Sequence, residues 1–173
     1  MTLILGFAPF ILFEILSRLS GDLALWIAFA AAFVVTIRDF VERPVLRLLD
    51  GAGLFLFAVL ALGHAFLMPE LSLAAVRLAV DAGFTLVLLY SLVRRQPFSL
   101  QYAGAPGRGW SESGFRKTNY VISAGWAGAF LAITIADLVV LAAMSPLYAA
   151  ILVDIAALAA AAGLTFYYPQ TGR

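Results

Sequence analysis

Arg77 and Asp81 stand four residues apart in "LAAVRLAVDAGFTLVLLYSLV", a run otherwise built almost wholly of apolar side chains. That spacing puts both on one helix face, where they can pair, although the order with the cation first is the weaker one for the helix. Glu14, His64, Asp137 and Asp154 sit in similarly apolar surroundings. A charge at mid-bilayer costs roughly 2.5–3.5 kcal/mol on insertion scales, so each needs a partner or a task. Read together, the six form an intramembrane polar cluster of four acids against Arg77 and a neutral His64. Desolvation and mutual repulsion would make such a cluster hold protons or attract a cation. The structural alternatives are concrete. Glu14 snorkels to the membrane surface, His64 is a satisfied interface histidine, and Arg77–Asp81 locks its own helix. Asp137 bonds Thr134 one turn earlier. Asp154 lies on a small-residue stripe with Ala150, Ala157 and Ala161, which brings it against protein and away from lipid.

The elements that must hold these groups follow from composition. The chain has 173 residues, 64% of them hydrophobic and 12% charged, and its mean hydropathy of +1.00 is that of a membrane protein. A helical span needs about 20 mostly apolar residues. Apolar runs over 2–18, 22–37, 47–67, 73–93, 120–143 and 147–168 predict an all-α integral membrane bundle of about six transmembrane helices, a single membrane domain over 1–173. The second run is the shortest, so five spans is the alternative. The start, "MTLILGFAPFILFEILSRLS", has no basic leader and no small-residue cleavage pattern, and reads as a retained helix.

Basic residues set the orientation. With the N-terminus inside, Arg38, Arg43, Arg47, Arg94, Arg95, Arg108, Arg116, Lys117 and Arg173 all fall on the cytoplasmic side. Both termini are then cytoplasmic, and the six buried ionisable groups lie in the outer half of the membrane. The stretches 38–50 and 94–119 become cytoplasmic interfacial loops. Arg94, Arg95, Phe98, Gln101, Tyr102, Arg108, Trp110, Arg116, Lys117 and Asn119 make the second a surface for lipid or a partner, with Phe98, Tyr102 and Trp110 as interface anchors. Its "GAPGRG" reads as a flexible loop; without a following Gly-Lys-Ser/Thr it is no phosphate cradle.

Several chemistries are excluded. There is no cysteine and one histidine, so disulfides, thiolate metal sites, bis-histidine haem and multi-histidine metal sites all fail. No cofactor or metal is expected, and a net charge of +1 gives no reason to expect a nucleic-acid partner. The only lysine, Lys117, lies outside the predicted helices, which removes a retinal Schiff base. An intramembrane hydrolase would need His64 with Ser123 or Ser145, or an Asp81–Asp137 dyad. Nothing in their flanks supports either, and no catalytic residue is assigned.

"FAPF" near the start, Asp22 opening the second helix, "SLVRRQPF", "RKTN" with Lys117 and Asn119, Asp137 in "IADL", and the closing "YYP" together resemble the intracellular septation protein A family. The likeness is loose and spans the chain. It implies a small multi-pass protein of the bacterial inner membrane, non-enzymatic, acting in envelope maintenance or division through other membrane proteins or a homo-oligomer. The alternative from the buried charges is a small proton- or cation-coupled transporter or channel with an outward-facing acidic site.

Overall fold

The computed structural model describes residues 2–42, 44–104, 110–143 and 147–171, among which no strand occurs. The helices are α1 (Thr2–Gly6), α2 (Ala8–Leu16), α3 (Gly21–Glu42), α4 (Leu48–Phe66), α5 (Leu73–Val93), α6 (Glu112–Ala143) and α7 (Leu147–Thr171), with a 3-10 turn at Phe98–Gln101. The five from α3 to α7 are long and apolar enough to cross a membrane. This is the architecture of a multi-pass membrane protein. The chain divides into two compact units, Met1–Gly83 and Phe84–Arg173.

Three departures from the hydropathy reading have a clear physical cause. The first segment is not one long helix but α1 and α2, joined at Phe7. Pro9 lacks an N–H and its ring crowds the carbonyl four residues back, so an uninterrupted helix would strain there. The second segment, expected to be short, is the 22-residue α3. Polar Arg38, Asp39 and Glu42 continue the helix past the apolar run, with Arg38 Nε 3.9 Å from Glu42, and α3 ends two residues before Pro44. The interfacial segment expected over 38–50 therefore shrinks to the short connection between α3 and α4. Arg43 lies outside the described residues. The third difference is α6, which begins eight residues before the predicted 120. Ser111 Oγ accepts the Gly114 N–H at 3.0 Å, an N-cap followed by the acidic Glu112.

In the first unit, Phe7, Phe10 and Phe13 are wholly buried, and the Phe13 ring stands 5.8 Å from that of Phe57 on α4. Thr36 on α3 donates to the Asp50 carbonyl on α4. Gly83 admits Leu56 so closely that a Cβ there would fall 2.7 Å from both its δ-carbons.

In the second unit α7 packs on α6. Trp126 Nε1 donates to Thr165 Oγ1 at 2.9 Å, and the Thr165 hydroxyl donates to the Ala161 carbonyl at 2.9 Å. Ala150, Asp154 and Ala161 are buried and Ala157 half-buried, so this stripe is the packed face of α7. Phe84 and Phe130 rings meet at 5.5 Å.

The 94–119 segment is not a free loop with aromatic anchors. Phe98 is wholly buried and Tyr102 nearly so. The physical reason is a hydrogen-bond knot under the 3-10 turn. Ser99 N–H donates to Ser123 Oγ at 3.2 Å, and Ser123 Oγ–H donates to Ser99 Oγ at 3.0 Å. Ser99 Oγ lies 2.8 Å from the Asn119 carbonyl and 3.0 Å from its Oδ1. With its backbone satisfied, the turn can bury its aromatics. Residues 105–109, which hold Arg108 and most of "GAPGRG", lie outside the described residues.

Ser123→Ala leaves the buried Ser99 N–H without its acceptor, which costs about 1–3 kcal/mol. A fall in the thermal unfolding midpoint of the detergent-purified protein reports it. Ser99→Ala, which keeps that N–H bonded to Ser123, is expected to lower the midpoint less.

Candidate functional site

In the first unit α2 carries Glu14 one residue past Phe13, on the side of the helix that faces the core, and Ser17 follows three residues on. Arg77 approaches from α5 and is completely buried. Its Nη1 lies 2.6 Å from Glu14 Oε2 and donates to Ser17 Oγ at 3.3 Å. Ser17 in turn donates its proton to the Glu14 carbonyl at 3.1 Å, leaving its lone pair for the arginine. Glu14 itself is 7% exposed. The snorkelling expected for Glu14 is thus replaced by an inward-facing ion pair, because a guanidinium on another helix offers it a stronger contact than the interface does.

Asp81, one turn beyond Arg77 on the same face, is also wholly buried. The sequence spacing pointed to the pair within α5; the contact that spans helices is Arg77 with Glu14. Ser17 was missed because nothing local marks a serine at a helix end as the second acceptor for a residue sixty positions away.

His64 has a different partner. Its Nδ1 lies 2.8 Å from Asp22 Oδ1, and its Nε2 faces the Leu71 carbonyl at 3.4 Å. The pair joins the first turn of α3 to the last turn of α4, with the acid at a helix start, where it suits the helix dipole. Beside it is a half-open cavity of about 210 Å³ lined by Asp22, Trp26, Ala61 and His64. At the opposite ends of these helices Asp39, 6% exposed, is bracketed by Arg38 and by Arg47, both at 2.5 Å. An antiparallel α3–α4 hairpin makes both meetings necessary, and a reading that follows one helix at a time does not reveal them.

Asp137 on α6 and Asp154 on α7 belong to the second unit and are 1% and 4% exposed. Thr134, expected to serve Asp137, donates its hydroxyl hydrogen bond to the Phe130 carbonyl at 2.8 Å and meets Thr85 Oγ1 at 2.8 Å. Ser123, weighed above as a partner for His64, is engaged in the knot with Ser99. Of the loop residues, Arg94 lies 6.0 Å from the Tyr90 ring centroid, Trp110 stacks edge-on to Phe115, and Arg95, Gln101, Arg116 and Lys117 are exposed. Asn119 is buried beneath the turn. Among the described residues no group of three or more histidine, aspartate or glutamate side chains is placed to hold a metal ion.

No family model, no curated protein and no solved structure matches the chain.

Arg77→Leu removes the cation from a buried carboxylate, a change that costs about 3–5 kcal/mol in comparable buried pairs. Glu14→Gln, which keeps an acceptor for the guanidinium, is expected to cost less. Thermal unfolding of the two detergent-purified variants checks the order; equal losses contradict it.

Proposed function

We propose that this chain is a non-enzymatic, multi-pass protein of the bacterial inner membrane that organises or accompanies other membrane proteins, in a role of the septation or envelope type. The observation that carries this reading is Arg77. This completely buried cation contacts Glu14 and Ser17 of its own unit, which supports intramembrane charge used for packing. What remains for recognition is surface. α3 presents Trp26, Phe33, Ile37 and Phe40 outward, and the connection after α5 presents Arg94, Arg95 and Gln101.

Its orientation follows the charge rule. The connections after α3 and α5, together with the flanking helix ends, carry Arg38, Arg43, Arg47, Arg94, Arg95, Arg108, Arg116 and Lys117, and the connection after α4 carries no basic residue. The first two face the cytoplasm. The side assigned to each connection is the same whether α1–α2 is counted as a sixth pass, as we propose, or not. Because the chain has no cysteine, single introduced thiols test this directly. Ser72→Cys is expected to react with a membrane-impermeant maleimide added outside intact cells, and Gln101→Cys only after lysis. The reverse pattern inverts the topology.

Extraction in a mild detergent is expected to bring down a stoichiometric membrane partner, retained when Asp81, Asp137 and Asp154 are changed to asparagine and lost when the segment from Gln101 to Arg108 is replaced by a neutral linker. A second reading, a proton or cation pathway, is favoured by the burial of Asp137 and Asp154 on the packed helices α6 and α7. Proteoliposome flux that disappears in the triple asparagine variant would support that reading over the first.

A further inference from the structure

The end of α5 contains a residue in a backbone conformation it does not favour. Gln96 N–H reaches the Ser91 carbonyl at 3.0 Å and Arg95 N–H the Leu92 carbonyl at 2.9 Å, the two bonds of a Schellman cap. The residue after such a cap sits in the left-handed region and is usually glycine. Here it is Arg95, with φ of 54°, the one non-glycine residue of positive φ among the described residues. A bulky side chain held in this conformation is a reason to look for what it does.

Arg95 opens onto a wide groove of about 700 Å³, lined with Ser113, Arg116, Lys117, Tyr120 and Val121 of α6. Among the described residues three cations and two hydroxyls line it, and no carboxylate does. Glu112, one turn before Arg116, is not among its walls. Arg116 Nη2 donates to the Arg95 carbonyl at 3.2 Å and Tyr120 Oη–H to the Leu92 carbonyl at 3.4 Å, so two α6 side chains are tied to the end of α5. On α5 itself, Leu86, Leu89, Tyr90 and Val93 form an exposed apolar stripe at helical spacing that runs up to the cap. Cations and hydroxyls at the end of a lipid-facing stripe match a phosphate above acyl chains.

We propose that this groove binds the phosphate of an anionic phospholipid headgroup, with Arg95 and Lys117 as its charge-bearing ligands and Ser113 and Tyr120 beside them. The inference does not depend on what partners the protein has. It explains why an arginine occupies a position that glycine would fill without steric cost.

The test uses the full chain in mild detergent, with native mass spectrometry reading bound lipid during titration with short-chain phosphatidylglycerol, short-chain phosphatidylcholine or inorganic phosphate. Phosphatidylglycerol is expected to bind preferentially. Loss of one charge-assisted contact corresponds to about tenfold weaker binding, expected for both Arg95→Gly and Lys117→Gln. Arg95→Gly is expected to leave the unfolding midpoint unchanged or raise it, separating a ligand-binding arginine from a structural one. Equal binding of phosphatidylcholine, or undiminished phosphatidylglycerol binding by Arg95→Gly and Lys117→Gln, overturns the proposal. Displacement of the lipid by inorganic phosphate at matching concentration assigns the groove to a soluble phosphate compound and overturns the lipid reading.

Discussion

The contact on which the first unit depends is the one between the Arg77 guanidinium and the Glu14 carboxylate. In a membrane protein apolar side chains give helices little reason to prefer one another over lipid, so packing must be specified by close fit and by polar contacts. Arg77 is completely buried and Glu14 nearly so. Neither can stay in such a place alone, since an uncompensated buried charge is far more costly than a paired one. Their meeting therefore fixes where α2 lies against α5. Ser17 refines the geometry by accepting from the guanidinium while donating to the backbone of its own helix.

The same principle recurs at smaller scale. Asp22 and His64 tie one end of the α3–α4 hairpin, and Asp39 with Arg38 and Arg47 ties the other. Ser99, Asn119 and Ser123 hold a 3-10 turn against α6 so that Phe98 can enter the core. In each case a buried or half-buried polar group meets another, and the contact joins neighbouring elements. Glu14, Arg77 and His64, which look like candidates for transport in a list of residues, each meet a polar partner in the fold.

Hydropathy alone located α5 at Leu73–Val93 and came within a residue or two of α4, because long apolar runs have no other stable form in a bilayer. It lost the ends of α3 and α6, where the helix continues through charged residues that a hydropathy window counts as loop. Pro9 was visible in the sequence, and the division into α1 and α2 follows from its chemistry. The burial of Phe98 and Tyr102 was not legible, since it depends on a serine–asparagine knot whose members are 20 and 24 residues apart. Arg77 illustrates the limit best. Spacing within one helix names Asp81 as its neighbour, whereas Glu14 is brought to it only by the packing of separate helices. The apolar face of α7 was readable for a different reason: Ala150, Ala157 and Ala161 recur at helical spacing around Asp154, and small residues mark close approach.

If the Arg77–Glu14 contact serves packing, its charges can be exchanged for apolar volume together but not separately. Hydrogen–deuterium exchange over α2 and α5, compared among the native protein, Arg77→Met, and Glu14→Leu combined with Arg77→Met, tests this directly. The account predicts that the single change deprotects both helices and that the double change restores protection to the native level. A double variant as poorly protected as the single one would contradict it, and would mean that the charges themselves, beyond the space they fill, are required.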